Sequence, residues 1–377
     1  VEYCSRCRTP LIRCAGKDLD VALGSAAATL LLLFPASFEP FLTTSSVGAT
    51  RSSLLPSSAV DLWHEGWPWL AIVVFLFVLL FPAIRYMALT AVLSAIRFGA
   101  RPRWLGVAFR VANALQTWAM LDVFSLGSAV AYARLHASIH VVIDTGAVCL
   151  LGAALFSLVA RAALDKRLVW RLIAADCGSA VTRSSIVCLS CDFLASPDCE
   201  GRRCPRCGAI MRSRRPDDIS RAVALLLAAI LLYLPANLYT IATIPIDLKP
   251  TPYTVVGGII DLSRSRLIAL AVLVFCASFA IPVLKMTGLS WCVLRTQSSK
   301  QLIRKTQVYR IIEEIGRWSM VDPFTIACFA PVMHFSRLID GRAGPAATPF
   351  AAVVILTLLA VRCFDPRGMW DRAGYTA

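Results

Sequence analysis

Charge is scarce in this chain: only 16% of its 377 residues are Asp, Glu, Lys or Arg, against 58% hydrophobic. A globular domain of that make-up would leave too much apolar surface in water, so a water-soluble fold is excluded and a bilayer protein is expected. Histidine is scarcer still, and His64, His136, His140 and His334 lie too far apart to nominate a metal or acid–base site. No nucleophile–base pair and no phosphate-cradling glycine loop stands out, so no enzyme is expected. A signal peptide is also missing. Val1 to Asp20 is polar and the apolar run after it is long, without a cleavage-type flank, so the first span is expected to stay in the protein.

What the chain has in abundance is repetition. Residues 201–377 moved back by 200 positions fall on the first half without a gap. Cys204, Arg206 and Cys207 land on Cys4, Arg6 and Cys7, and Pro235, Asp261, Pro282, Trp318, Asp322 and Asp365 land on Pro35, Asp61, Pro82, Trp118, Asp122 and Asp165. That period is far too long for a solenoid, so a whole domain has been duplicated.

A membrane helix needs about 20 apolar residues. Eight stretches qualify: 21–42, 67–89, 111–134 and 143–162 in the first copy, and 221–243, 267–292, 315–335 and 345–363 in the second. Four per copy returns the chain to its starting side. The copies are therefore expected to be parallel, related by an axis along the membrane normal. The fold class expected is an all-α polytopic membrane protein with a small cysteine module. Its parts are a partial ribbon-like segment over 1–20, four-helix units over 21–170 and 219–365, a ribbon over 186–212, and a tail over 366–377.

Orientation follows from the basic residues, because loops rich in Lys and Arg resist translocation. The side bearing the N-terminus holds 31 of the 38 Lys and Arg residues. Both termini and the central linker are thus expected in the cytoplasm. The formal charge of +15 is then topological, with anionic headgroups as its natural partner, and nucleic-acid binding is not expected.

The linker carries the strongest local motif. Cys188-Leu-Ser-Cys191 and Cys204-Pro-Arg-Cys207 are separated by twelve residues, and each Cys-x-x-Cys can offer two thiolates to one metal. Zn(II) suits four thiolates; rubredoxin-like iron is the residual option. Disulfides are disfavoured in a reducing compartment, and no α/β pattern surrounds either pair as a thioredoxin-like site would need. Cys4 and Cys7 offer half of a first site, since the counterparts of Cys188 and Cys191 would fall before residue 1. Cys14 supplies at best a third ligand.

Within the spans, a charge near the bilayer centre costs about 2.5–3.5 kcal/mol, so such residues face a partner or a wet cavity. Arg85 and Lys285 are repeat-related, as are Asp122 and Asp322. Helical rise puts Lys285 roughly 15 Å deep, near the level of Asp322, so a basic–acidic pair is expected in each copy, with a proton-coupled step as one use. Snorkelling is the alternative for the basic members. Pro35, Pro82, Pro235 and Pro282 are expected to interrupt their helices, either as ordinary packing kinks or as breaks at which Pro235, Asn237 and Pro282 line a site. Residues 43–66 and 244–266 are the long outward segments, read as docking surfaces or plain solvated connections.

These residues resemble a known family. Gly316-Arg317-Trp318-Ser319-Met320-Val321-Asp322, Leu234-Pro235-Ala236-Asn237, Pro282-Val283-Leu284-Lys285 and Phe364-Asp365-Pro366-Arg367 with Trp370-Asp371 are similar to motifs of the paraquat-inducible protein A family. The likeness covers nearly the whole chain. It implies an inner-membrane component of a phospholipid transport system in a double-membraned bacterium, working with a periplasmic MCE-domain protein, with the ribbon as a structural zinc module. A zinc- or redox-responsive membrane stress protein and an ion or proton channel stand as alternatives.

Overall fold

The computed structural model describes residues 2–3, 10–12, 18–46, 49–64, 67–136, 140–174, 185–240, 242–246, 249–264, 268–294, 301–321, 323–325, 327–328 and 342–372. Five helices among them are long and apolar enough to cross a membrane: Leu19–Phe38, Pro68–Arg97, Thr145–Ala163, Asp218–Leu238 and Ala271–Leu294. Ala347–Cys363 is a shorter apolar helix.

Each copy is built on its first and last helices. Leu19–Phe38 begins where the Asp18 side chain accepts from the Asp20 N–H at 2.9 Å, one of the orphan donors of a helix start. Its buried stripe of Ala22, Ser25, Ala26, Thr29, Leu33 and Ala36 meets Gly146, Ala153, Ala154, Ser157 and Ala160 of Thr145–Ala163. Small residues let two backbones approach closely where lipid supplies no hydrophobic drive between helices. The same pairing joins Asp218–Leu238 to Ala347–Cys363 in the second copy. Leu31, Phe34, Leu231 and Leu234 stand exposed on the outer faces, as lipid contact requires.

The prolines do not break their helices, which corrects the sequence expectation. Leu19–Phe38 and Asp218–Leu238 run through Pro35 and Pro235 for three more residues. The Asn237 amide donates to the Tyr233 carbonyl of its own helix at 2.9 Å, as an ordinary helical residue does. Pro82 and Pro282 follow directly on π-helical turns, Phe75–Leu80 and Cys276–Ala280, and the helix continues past them. A proline lacks an N–H and crowds the carbonyl four residues back; a widened turn just before it relieves that conflict.

The stretch 111–134, expected as the third span of the first copy, is divided in the structure. Helix Leu105–Ala114 gives way to a 3-10 turn, Leu115–Thr117, and Leu121–His136 begins anew after it. At the break, Trp118 packs on Phe77 at 5.4 Å and the Met120 N–H donates to the Phe77 carbonyl at 3.2 Å. The second copy repeats the device with Leu302–Ile315 and the 3-10 turn Gly316–Met320.

The fold is mostly helical but not all-α. Leu42–Ser46 pairs antiparallel with both Ala49–Ser53 and His140–Ile143, so the segments that link the helices at this end of the first copy form a three-stranded sheet. Ala242–Ile246 lies likewise between Lys249–Tyr253 and Arg342–Ala343. Pro250 and Pro252 sit on an edge strand, where a missing N–H is tolerated. Short helices, Leu55–His64 and Val255–Arg264, return each segment to the bundle.

The copies meet through their own counterparts. Phe124 and Phe324 pack edge to face at 5.4 Å, and one turn later Ser128 Oγ lies 3.3 Å from Cys328 Sγ. Equivalent residues touching at successive turns require two segments running in the same direction beside a two-fold axis parallel to them. Gly127 makes this approach close, its Cβ position being 3.1 Å from the Val321 carbonyl.

Candidate functional site

The cysteine module is built from two like turns. The Cys188 N–H donates to Phe193 O at 2.9 Å and Asp192 N–H to Cys188 O at 3.1 Å; the Cys204 N–H donates to Ala209 O at 2.7 Å and Gly208 N–H to Cys204 O at 2.8 Å. The last residue of each turn takes a left-handed backbone, Asp192 at φ 55° and Gly208 at φ 68°. The turns face each other so that Cys188 Sγ lies 3.6 Å from Cys207 Sγ and Cys191 Sγ 3.6 Å from Cys204 Sγ. All four sulfurs fall within 4.8 Å of one another and are buried.

That spacing fits a metal. A disulfide would need about 2.05 Å, whereas a tetrahedron with metal–sulfur bonds of about 2.3 Å has edges of about 3.8 Å. Within the cluster, hydrogen bonds from Cys191 and Cys207 hold the Cys188 thiol well below the ordinary thiol range, and the same contacts push the Cys191 and Cys207 thiols up, so the cluster by itself favours one thiolate shared by its neighbours. Cys199 is not part of the cluster. Cys4 and Cys7 lie outside the described residues.

Although the module precedes the second copy in sequence, it packs on the first. Gly106, on helix Leu105–Ala114, lets the Arg206 carbonyl approach so closely that a Cβ would collide with it. The Arg206 guanidinium donates to Ala174 O at 2.8 Å and lies over the Phe193 ring at 5.2 Å. Cys191, Phe193 and Met211 thereby join one buried cluster with Leu105, Phe109 and Trp170. The second copy has Thr306 where the first has Gly106, and the Trp370 indole N–H donates to its hydroxyl at 3.2 Å.

The second copy buries a lysine among hydroxyls. Lys285, 2% exposed, donates to Ser319 Oγ at 2.7 Å and to Thr357 Oγ1 at 3.2 Å. Those hydroxyls pass their own protons to backbone carbonyls, Ser319 to Gly316 at 2.9 Å and Thr357 to Val354 at 3.0 Å. Gly316 makes room for the lysine stem, its Cβ position being 3.7 Å from Lys285 Cδ. The two hydroxyls thus accept from the amine and donate onward to the backbone, so the buried lysine is met without a carboxylate among these contacts. Asp322 lies outside the described residues.

The first copy uses charge instead. Asp122 pairs with Arg161 at 3.4 Å, both side chains nearly buried. Arg85, also 2% exposed, is within electrostatic range of both and stacks over Tyr86 at 5.0 Å. Sequence reasoning nominated Arg85, Asp122 and Lys285 but missed Arg161, Ser319, Thr357 and Gly106. Ser319 stood inside the quoted Trp-Ser-Met motif, and Thr357 is a lone hydroxyl in an apolar run. Arg161, at the end of an apolar run, looks in the sequence like one more basic flank.

Comparison with known proteins fits this picture. The family model of the paraquat-inducible protein A matches residues 19–174 and again 219–374. The "Lipophilic envelope-spanning tunnel protein A" of Escherichia coli K12 is 31% identical, over 98% of this chain and 86% of its own length. The "Intermembrane transport protein PqiA" of the same organism is 29% identical, over 98% and 90%. A "Probable intermembrane transport protein" of Haemophilus influenzae is 23% identical, over 91% and 84%. No solved structure matches the chain. The chain belongs to the paraquat-inducible protein A family, whose unit it carries twice.

Proposed function

We propose that this protein is an inner-membrane component of a phospholipid transport system that crosses a two-membrane envelope together with a periplasmic MCE-domain protein. The observation that carries the reading is Lys285, buried at 2% exposure in a mostly apolar bundle with hydroxyls from two other segments as partners. Such a group is costly in a membrane and belongs to a pathway or a coupling step. The names of relatives point the same way, speaking for those proteins of intermembrane transport and an envelope-spanning tunnel.

In this reading the basic face, both termini and the cysteine module are cytoplasmic, and the two outward sheets meet the partner. Cys188, Cys191, Cys204 and Cys207 hold Zn(II) in a structural role. Lys285 and Asp322 exchange a proton during the cycle, while the Arg85, Asp122 and Arg161 cluster holds the first copy rigid. Affinity purification of the full chain from bacterial membranes, with mass spectrometry of what comes with it, tests the assignment. Phospholipid and an MCE-domain protein are expected together; intact protein that brings neither contradicts it.

A further inference from the structure

The bundle end that carries the basic loops contains a cavity of about 460 Å³ between the copies. Its walls include counterparts, Gln116 with Gly316 and Arg161 with Val361, so it straddles the same pseudo-two-fold axis as the Phe124–Phe324 contact. A space of several hundred cubic ångströms is the size of a small-molecule site.

Its wall carries both signs of charge. Arg161 and Lys166 of the first copy and Arg362 of the second share it with Glu313 and Glu314. A simple anion would be opposed by Glu313, and a simple cation by Arg161 and Arg362. A zwitterion meets both.

The basic groups are also arranged for a phosphate. The Arg362 guanidinium is held at 5.2 Å over the Trp118 ring of the other copy, which fixes its plane and leaves its edge donors for a forked contact. Arg161 gives Nη2 to Asp122 at 3.4 Å, while its Nε and Nη1 have no hydrogen-bond partner among the described residues. Neither has Gln116 Oε1. Buried donors and acceptors left unmet are destabilising until something meets them.

We propose that this cavity between the copies binds a phosphate ester bearing an amine, with the phosphate at Arg161 and Arg362 and the amine at Glu313. Two sources share that chemistry, an ethanolamine phospholipid headgroup and soluble phosphoethanolamine. The site deepens the lipid-transport reading, and rests on it for the choice of the lipid as the source.

Calorimetric titration of the purified full chain in detergent tests it, using dihexanoyl phosphatidylethanolamine, dihexanoyl phosphatidylglycerol and phosphoethanolamine as probes. Arg362→Gln is expected to weaken both lipids at least tenfold. Glu313→Gln, at an exposed position that does not hold the core, is expected to weaken the ethanolamine lipid about tenfold and the glycerol lipid less than twofold. Phosphoethanolamine binding as tightly as the ethanolamine lipid supports the site with a soluble source; the lipid binding tenfold better supports the headgroup. Ethanolamine-lipid binding within twofold of wild type in both variants overturns the proposal.

Lipid carried by the same wild-type preparation separates this failure from that of the transport reading. Bound phospholipid with binding indifferent to both substitutions sinks the cavity site alone. A preparation carrying no phospholipid counts against transport, and phosphoethanolamine titration still decides the cavity.

Discussion

The two copies share one frame and fill its centre differently. Where the first has Arg85, Ala119, Ser157 and Arg161, the second has Lys285, Ser319, Thr357 and Val361. In the first copy a carboxylate answers a guanidinium, and the Ser157 hydroxyl donates within its own helix, to Ala154 O. In the second, two hydroxyls hold an amine. A buried ion cluster fixes a conformation because separating its members is expensive. Duplication thus supplied two scaffolds that differ at four repeat-related positions, one centred on an ion cluster and the other on an amine among hydroxyls.

Substitutions can break this contrast, and the largest effect is expected at Asp122. Asp122→Asn leaves Arg85 and Arg161 as neighbouring buried cations, and breaking such a pair typically costs about 3–5 kcal/mol. Thermal unfolding of the purified chain in detergent should show a drop of that order; an unchanged melting temperature would mean that the cluster does not hold the first copy. Thr357→Val removes one of the amine's hydroxyl partners and should cost about 1.5–3 kcal/mol, as for hydrogen bonds to charged groups. Ser157→Ala, at the matching position of the first copy, should change stability by less than about 0.5 kcal/mol. Equal effects at the two positions would erase the distinction.

The cysteine module breaks the symmetry in a second way. It packs on the first copy because residue 106 is Gly, whereas Thr306 fills the matching place in the second. Gly106→Ala forces the Arg206 carbonyl away and should cost about 1–3 kcal/mol, the usual penalty for overpacking. Protease sensitivity at the linker should rise with it. Linker cleavage at the wild-type rate would show that docking through Gly106 contributes nothing.

Much of this was legible in the residues. The gapless 200-residue offset announces the duplication, and Cys-x-x-Cys spacing brings Cys188, Cys191, Cys204 and Cys207 together as expected. The stretch over 111–134 misled because hydropathy averages across a break: Trp118 and Met120 are apolar, yet the Trp118 ring packs on Phe77 and the Met120 N–H donates to the Phe77 carbonyl of a neighbouring helix. The strands were hidden because Leu42–Ser46 and its partners are short and rely on pairing across distant segments, as with His140–Ile143. The prolines misled in the opposite direction, since a π turn before Pro82 or Pro282 absorbs a defect that the residue alone would predict. The partners of Lys285 come from residues 34 and 72 positions away, and a serine or threonine in an apolar run most often bonds its own helix.

The most direct measurement compares Lys285→Met with Arg85→Met in phospholipid transport, with each variant's folded, membrane-inserted amount matched to wild type. The account predicts that Lys285→Met abolishes transport and leaves the melting temperature near wild type. It predicts that Arg85→Met, which leaves the Asp122–Arg161 pair in place, retains most transport per folded molecule. Full transport by the Lys285 variant, or equal loss in both, would contradict the division of labour between the copies.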